Sequence, residues 1–179
     1  LDEQEEERIE GAMKIIGIGH KARQGKNSLA AELVKQFGIR DIYAKQYGFA
    51  DALKSTCRIL GMKEKQGSVL QAFGTDVMRA INPSIWLDTL MYTMLEDNPD
   101  VAVITDVRFK NEAALVRQYK GLLLKLERYN QSGKRFIVDD RDPNHPSETD
   151  LDDYEFDLVI KSTKLSDLYH HAERITQQY

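Results

Sequence analysis

One short run gathers the groups suited to gripping phosphate. Residues 19–28 read GHKARQGKNS, with Lys21, Arg23 and Lys26 as cations and Gly25 directly before Lys26. The six residues before Gly19 (13–18, MKIIGI) are mostly apolar, and in the following LAAELVKQF the residues Leu29, Leu33 and Phe37 recur every four positions. The pattern predicts a strand, a loop and then a helix with one apolar face. A helix that opens on such a loop presents unpaired backbone N–H groups, which form an anion site. Gly25 can take backbone conformations closed to other residues and lets phosphate oxygens approach. Lys26 can reach the β- and γ-phosphates of a triphosphate as a point charge. The run departs from the common G-x-x-x-x-G-K-[ST] pattern, because His20 holds the first position and Asn27 follows Lys26, with Ser28 one residue later. Lys21, Ala22, Arg23, Gln24, Gly25, Lys26, Asn27 and Ser28 are therefore the candidates for holding the triphosphate. Asn27 or Ser28 could touch Mg²⁺ directly or through water. His20 reads as a space-filling or capping turn residue rather than a base.

A second acid and several arginines fit the same chemistry. Residues 101–105 (VAVIT) form the clearest strand in the chain, and Asp106 follows them. A carboxylate there could hold the water shell of Mg²⁺ or take a proton from an attacking phosphate; the plainer role is a helix cap or a partner for Arg108. Arg108 can grip phosphate through its planar fork. Arg79, Arg128, Arg135 and Arg141 are further cations, and Asp51 could face an acceptor or cap a helix. His145 and Glu148, three apart in HPSE, could tie a lid to the body.

The elements that must position these groups alternate between strand and helix. Strands are expected at 13–18, 47–49, 101–105, 121–126 and 156–160, and helices at 29–37, 51–60, 68–81 (weakened by Gly74), 85–95 (capped by Ser84), 112–119 (capped by Asn111) and 165–175. Such alternation implies an α/β fold with a mostly parallel sheet and right-handed crossovers. In sheets of this kind ligands bind beyond the C-terminal strand ends, where the loop at 19–28 and Asp106 both fall. The turn-rich stretch at about 128–150 is a lid-like segment that would exclude water on closing.

Composition narrows the setting. The 179 residues suit one domain, 13–179, preceded by an acid-rich segment, 1–12 (LDEQEEERIEGA), read as a disordered extension. That segment carries six acids and one base, so the remainder holds 24 basic against 23 acidic groups. A nearly neutral body argues against a duplex nucleic acid partner. A single cysteine, Cys57, excludes an intrachain disulfide framework and a cysteine metal cluster. No apolar run is long enough to span a membrane, and a cytoplasmic setting is expected.

With these residues placed, the chain resembles the phage deoxynucleoside monophosphate kinases of the P-loop kinase superfamily, from about residue 14 to 169. The stretch HKARQGKNS (20–28) is similar to that family's phosphate loop, with His20, Asn27 and Ser28 where glycine, aspartate and threonine are usual. DVRFKNEA (106–113) resembles its aspartate-valine-arginine-phenylalanine stretch ending in asparagine-glutamate, and HPSETDLDDYEFDLVI (145–160) its histidine-x-serine-glutamate segment and last strand. The resemblance implies a three-layer P-loop kinase fold with a small lid. It also implies transfer of the γ-phosphoryl group of ATP to a deoxynucleoside 5'-monophosphate with Mg²⁺, and a possible homodimer. In phage the setting would be the host cytoplasm. It maps Lys26, Asp106, Arg108 and Arg128 to catalysis, with Asp106 near the metal. Asp51, Arg79 and Arg108 would serve the acceptor, and Ser162 would lie where an asparagine often sits beside the donor base. Two other readings stay open at this point: a kinase of a hydroxymethylated base within DNA, and a non-catalytic nucleotide-binding protein.

Overall fold

The computed structural model describes residues 13–62, 67–137 and 142–178. The acid-rich 1–12 segment, Arg141 and the middle of the lid-like stretch lie outside the described residues. Five strands form the sheet: β1 (Lys14–Gly19), β2 (Ala44–Tyr47), β3 (Val101–Val107), β4 (Leu122–Arg128) and β5 (Leu158–Ser162). Their order is β2-β3-β1-β4-β5, and every pairing is parallel. β1 lies at the centre, with Ile16 opposite Val103 of β3 and Leu122 of β4.

Successive strand side chains point to opposite faces, and this alternation splits the core in two. Ile16 and Ile18 of β1, Val101 and Val103 of β3, and Leu124 and Leu126 of β4 pack with Leu29, Leu33 and Phe37 of α1 (Lys26–Gly38). Leu168, Ala172 and Ile175 of the C-terminal helix (Leu165–Gln178) complete that layer. On the opposite face Ile15, Ala102, Ile104 and Leu123 meet α2 (Ala50–Ile59), α4 (Ile85–Asp97) and α5 (Lys110–Gln118) through Leu53, Cys57, Leu90, Met94, Ala113 and Val116. The result is the expected three-layer α/β sandwich. A strand covered on both sides has no polar face, which is why β3 reads as an unbroken apolar run.

Departures from expectation are local. The 68–81 helix is divided: α3 (Gly67–Gln71) runs into a π-helical stretch, Ala72–Arg79. Gly74 sits there because a Cβ would lie 2.4 Å from Leu53 Cδ2, and its carbonyl accepts the Trp86 indole N–H at 3.0 Å. Asn111 does not cap α5. It lies inside the helix, which begins at Lys110, and Glu112 takes over by accepting the Arg108 and Phe109 N–H groups. Ser84 occupies the N-cap of α4 without a side-chain capping bond. The short helix α6 (Pro146–Thr149) lies at the end of the lid-like stretch and brings Glu148 against Ala22 of the phosphate loop. The C-terminal helix is α7.

Candidate active site

The loop between β1 and α1 curls back on itself, as its glycine and cations predict. Gly25 has φ 99° and Arg23 φ 53°, both in the left-handed region, and Gly25 O accepts from Ser28 N at 3.0 Å and Leu29 N at 3.1 Å. The first turn of α1 thus opens beneath the loop. Lys26 is buried, and its ammonium donates to Lys21 O at 2.5 Å across the loop. The side chain is therefore arched over the loop.

Ala22, Arg23, Gly25, Lys26, Asn27 and Ser28 line one side of a cleft of about 600 Å³. Asp106, Arg108 and Arg79 line the other, with Phe49, Leu53, Leu70, Trp86 and Phe109 forming an apolar end. Residues far apart in the chain meet here because β1 and β3 are neighbours that end on the same edge. Asp106 is committed to structure as well: Oδ1 accepts from Phe49 N at 2.6 Å and Oδ2 from Ala50 N at 2.9 Å, holding the start of α2. Gly48 makes that approach possible, since a Cβ there would lie 3.1 Å from Asp106 Oδ2.

Five predicted residues do not line this cleft. Lys21 turns away, donating to Glu148 O at 2.8 Å and Asp152 Oδ1 at 2.7 Å. The Gln24 amide accepts from Arg128 N at 2.7 Å and donates to Phe136 O at 3.1 Å, pinning the loop to the base of the lid-like hairpin. Arg128 is exposed, with its guanidinium 5.0 Å from the Phe136 ring centre. Asp51 pairs with Lys54 at 3.0 Å on the surface of α2. Ser162 is buried at the end of β5, and its carbonyl accepts from Tyr129 N.

Two buried acids stand out that residue type alone did not mark for the cleft. Glu112 accepts from Arg108 N at 2.7 Å and Phe109 N at 3.1 Å and pairs with the Arg79 guanidinium, which stacks 4.1 Å from the Phe109 ring centre. Glu148 accepts from Ala22 N at 3.1 Å and pairs with Arg108. The spacing Arg108-x-x-x-Glu112 was the available signal for the first, and HPSE for the second. Burial pushes the Glu112 carboxyl up to about 7, with Asp106 adding in the same direction against Arg79 and the two N–H donors. His145 ties α6 to the π-helical stretch through Ser147 Oγ at 2.9 Å and Asp76 Oδ1 at 3.2 Å. His20, 1% exposed, lies 3.0 Å from Asp152; burial first, and Lys21 second, bring its pKa down to about 4, so it is neutral at pH 7.

The donor set suits Mg²⁺. Ser28, Asn27 and Asp106 are hard oxygen donors on one cleft, and Mg²⁺ takes few protein ligands, drawing the rest from phosphate and water. Both Asp106 oxygens already accept N–H bonds, which fits contact through water. Among the described residues no cluster of histidine, cysteine, aspartate or glutamate could hold a metal by itself.

Comparison with known proteins gives the family and the fold. A sequence model of a family described as deoxynucleotide monophosphate kinase matches residues 67–172. A protein of Acanthamoeba polyphaga mimivirus, provisionally named deoxynucleotide monophosphate kinase, is 27% identical over 186 residues, covering 85% of this chain and 90% of that protein. The deoxynucleoside-5'-monophosphate kinase of Escherichia phage T5 is 37% identical over 86 residues, 46% of this chain and 33% of that one. In fold, the chain is similar to a shikimate kinase from Acinetobacter baumannii, with a TM-score of 0.50, 13% identity and coverage of 96% and 95%. The matched family segment spans more than half of the chain and contains Arg79, Asp106, Arg108, Glu112 and Glu148, so the chain belongs to the deoxynucleotide monophosphate kinase family and is a nucleotide kinase of the P-loop fold.

Proposed function

We propose that the cleft holds ATP on the Gly25–Ser28 side and a deoxynucleoside 5'-monophosphate on the Arg79–Arg108 side. The reaction of this family, γ-phosphoryl transfer to a deoxynucleoside monophosphate to give the diphosphate, then takes place between them. The observation that carries this reading is the placement of the arched lysine and the open turn of α1 opposite two arginines across one cavity. Phosphoryl transfer asks for charge neutralisation and alignment more than for covalent catalysis. The backbone N–H groups of α1 and the Lys26 ammonium hold the donor phosphates. Arg79 and Arg108 hold the acceptor phosphate through their planar forks, and Arg108 also faces the moving group. The apolar end, with Phe49, Trp86 and Phe109, suits the acceptor base. An acceptor oxygen then attacks the γ-phosphorus in line with the departing oxygen.

Mg²⁺, when bound, would neutralise the charge that develops on the transferring phosphoryl group; Ser28, Asn27 and Asp106 would hold it, the acid through water. Arg128 would serve from the lid side, reaching phosphate only after the hairpin beyond β4 closes. Lys21 and Gln24 contribute by shaping the loop. Ser162 would border the donor base, and Asp51 would approach the acceptor side from the first turn of α2. The reading places the enzyme in the cytoplasm, with no membrane or duplex nucleic acid as partner. Among the described residues no helix is long and apolar enough to cross a membrane. A homodimer is checked by sedimentation of the full chain.

The deciding experiment incubates the chain with ATP, Mg²⁺ and each deoxynucleoside monophosphate in turn and separates the products. Diphosphate formation from at least one acceptor is expected. ATP hydrolysis that no acceptor stimulates would reject the reading.

A further inference from the structure

We propose that Glu112 and Glu148 are positioning residues that bracket Arg108 and keep the donor loop and the acceptor arginines in register; the proposal rests on the assignment of the cleft given above. Both carboxylates are buried, 1% and 2% exposed. An acid removed from water is costly unless donors replace the lost hydration, so the identity of those donors is informative. For Glu148 they include the Ala22 N–H of the phosphate loop and Arg108 Nη1. For Glu112 they are the Arg108 and Phe109 N–H groups and Arg79 Nη2. A continuous chain of bonds therefore runs from the Ala22 amide through Glu148, Arg108 and Glu112 to Arg79. Ala22, Arg108, Arg79 and Glu112 itself line the cleft, and Glu148 stands behind them.

A pair of buried acids is a poor way to gain stability, because apolar side chains of similar size usually do as well. It is a good way to fix the direction of a guanidinium. Arginine has five N–H donors in a rigid fork. The bonds from Arg108 to Glu148 and to Ser147 O both leave from Nη1, and those from Arg79 run from Nη2 to Glu112 and from Nη1 to Pro83 O. The remaining N–H groups of each fork suit phosphate oxygens. A fork already held loses less freedom on binding, and in-line transfer tolerates little misplacement between donor and acceptor. Glu112 thus sets the acceptor arginine, Glu148 sets the loop, and Arg108 is common to both.

The test uses the full chain, steady-state kinetics with ATP and its preferred acceptor, and a separate titration of ATP affinity without acceptor. Glu112→Gln is expected to raise the acceptor KM about 10-fold and leave ATP affinity within about twofold, whereas Glu148→Gln lowers ATP affinity about 5-fold. Because both act on Arg108, the double variant should lose less kcat/KM than the product of the two single losses. If either glutamine variant fails to fold, Glu112→Asp or Glu148→Asp replaces it, keeping the charge but withdrawing the oxygens, with the same split expected. Equal changes in both substrates' constants, no change in either, or losses that simply multiply would overturn the positioning role while leaving the kinase reading intact. A wild-type chain that phosphorylates no mononucleotide would sink both.

Discussion

The two walls of the cleft are built by different means. The wall assigned above to the donor in our proposal is a local object: ten consecutive residues, a left-handed glycine, and a lysine that bonds to a carbonyl five positions earlier. The wall assigned in the same proposal to the acceptor is assembled from segments around residues 79, 106–112 and 146–148, joined by buried ion pairs. A wall made of backbone is robust to most side-chain changes and vulnerable at one or two positions. A wall made of paired side chains degrades when either member of a pair is lost.

The sharpest way to break this contrast is at Lys26. Lys26→Ala is expected to lower turnover by roughly 10³-fold, about 4 kcal/mol on the barrier, because its ammonium is the charge arched across the loop. A coupled ADP-release assay showing near-normal rates would remove the donor wall from the mechanism. On the other wall, Arg79→Lys keeps the charge but loses the fork that serves Glu112 and phosphate together. The acceptor KM should rise about 10- to 100-fold, with the ATP KM little changed, and equal changes in both would erase the distinction between the walls. Asp106→Ala is expected to cost about 1 kcal/mol of stability by uncapping α2, seen as a lower midpoint in urea, together with a loss of turnover. Activity loss with unchanged stability would mean that the bonds to Phe49 and Ala50 contribute nothing to holding α2.

The smallest effect concerns His20. Its folded pKa of about 4 lies below the ordinary 6.5, so between those values the unfolded chain binds a proton that the folded chain refuses. Stability on this account falls as pH drops from about 6.5 towards 4. His20→Gln should flatten that part of a urea-midpoint profile relative to wild type; parallel profiles would show that His20 does not titrate this way.

The donor wall was legible in the sequence because its signals are short-range: an apolar run, a glycine-lysine pair and a four-residue repeat lie side by side. Most of the sheet was legible for a similar reason, since strands covered on both faces read as apolar runs; the edge strand β2, of sequence AKQY, was expected at 47–49 and instead spans Ala44–Tyr47. The acceptor wall was half legible. Asp106, Arg108 and Arg79 were singled out and do line the cleft. Glu112, four residues after Arg108, carried only that spacing as a signal, and the fold adds that its helix face is buried. Lys21, Gln24, Asp51, Arg128 and Ser162 teach the converse: spacing puts a residue at the correct sheet edge, but rotamers and neighbours decide whether its side chain turns into the cavity. At Gln24 the competing partners were the backbone of Arg128 and Phe136, contributed by a segment more than a hundred positions away.

The central place of β1 has a consequence for how the chain acquires its shape. Lys14 finds its partner only at Val101, and Ile16 its second partner only at Leu122, so the earliest strand waits for most of the polypeptide before either edge is satisfied. Pairings of such long separation make folding slow. Refolding monitored by the Trp86 signal is expected on the millisecond-to-second scale, with ATP binding recovered no earlier than that signal; nucleotide binding regained ahead of it would show that the loop forms before the sheet closes around it.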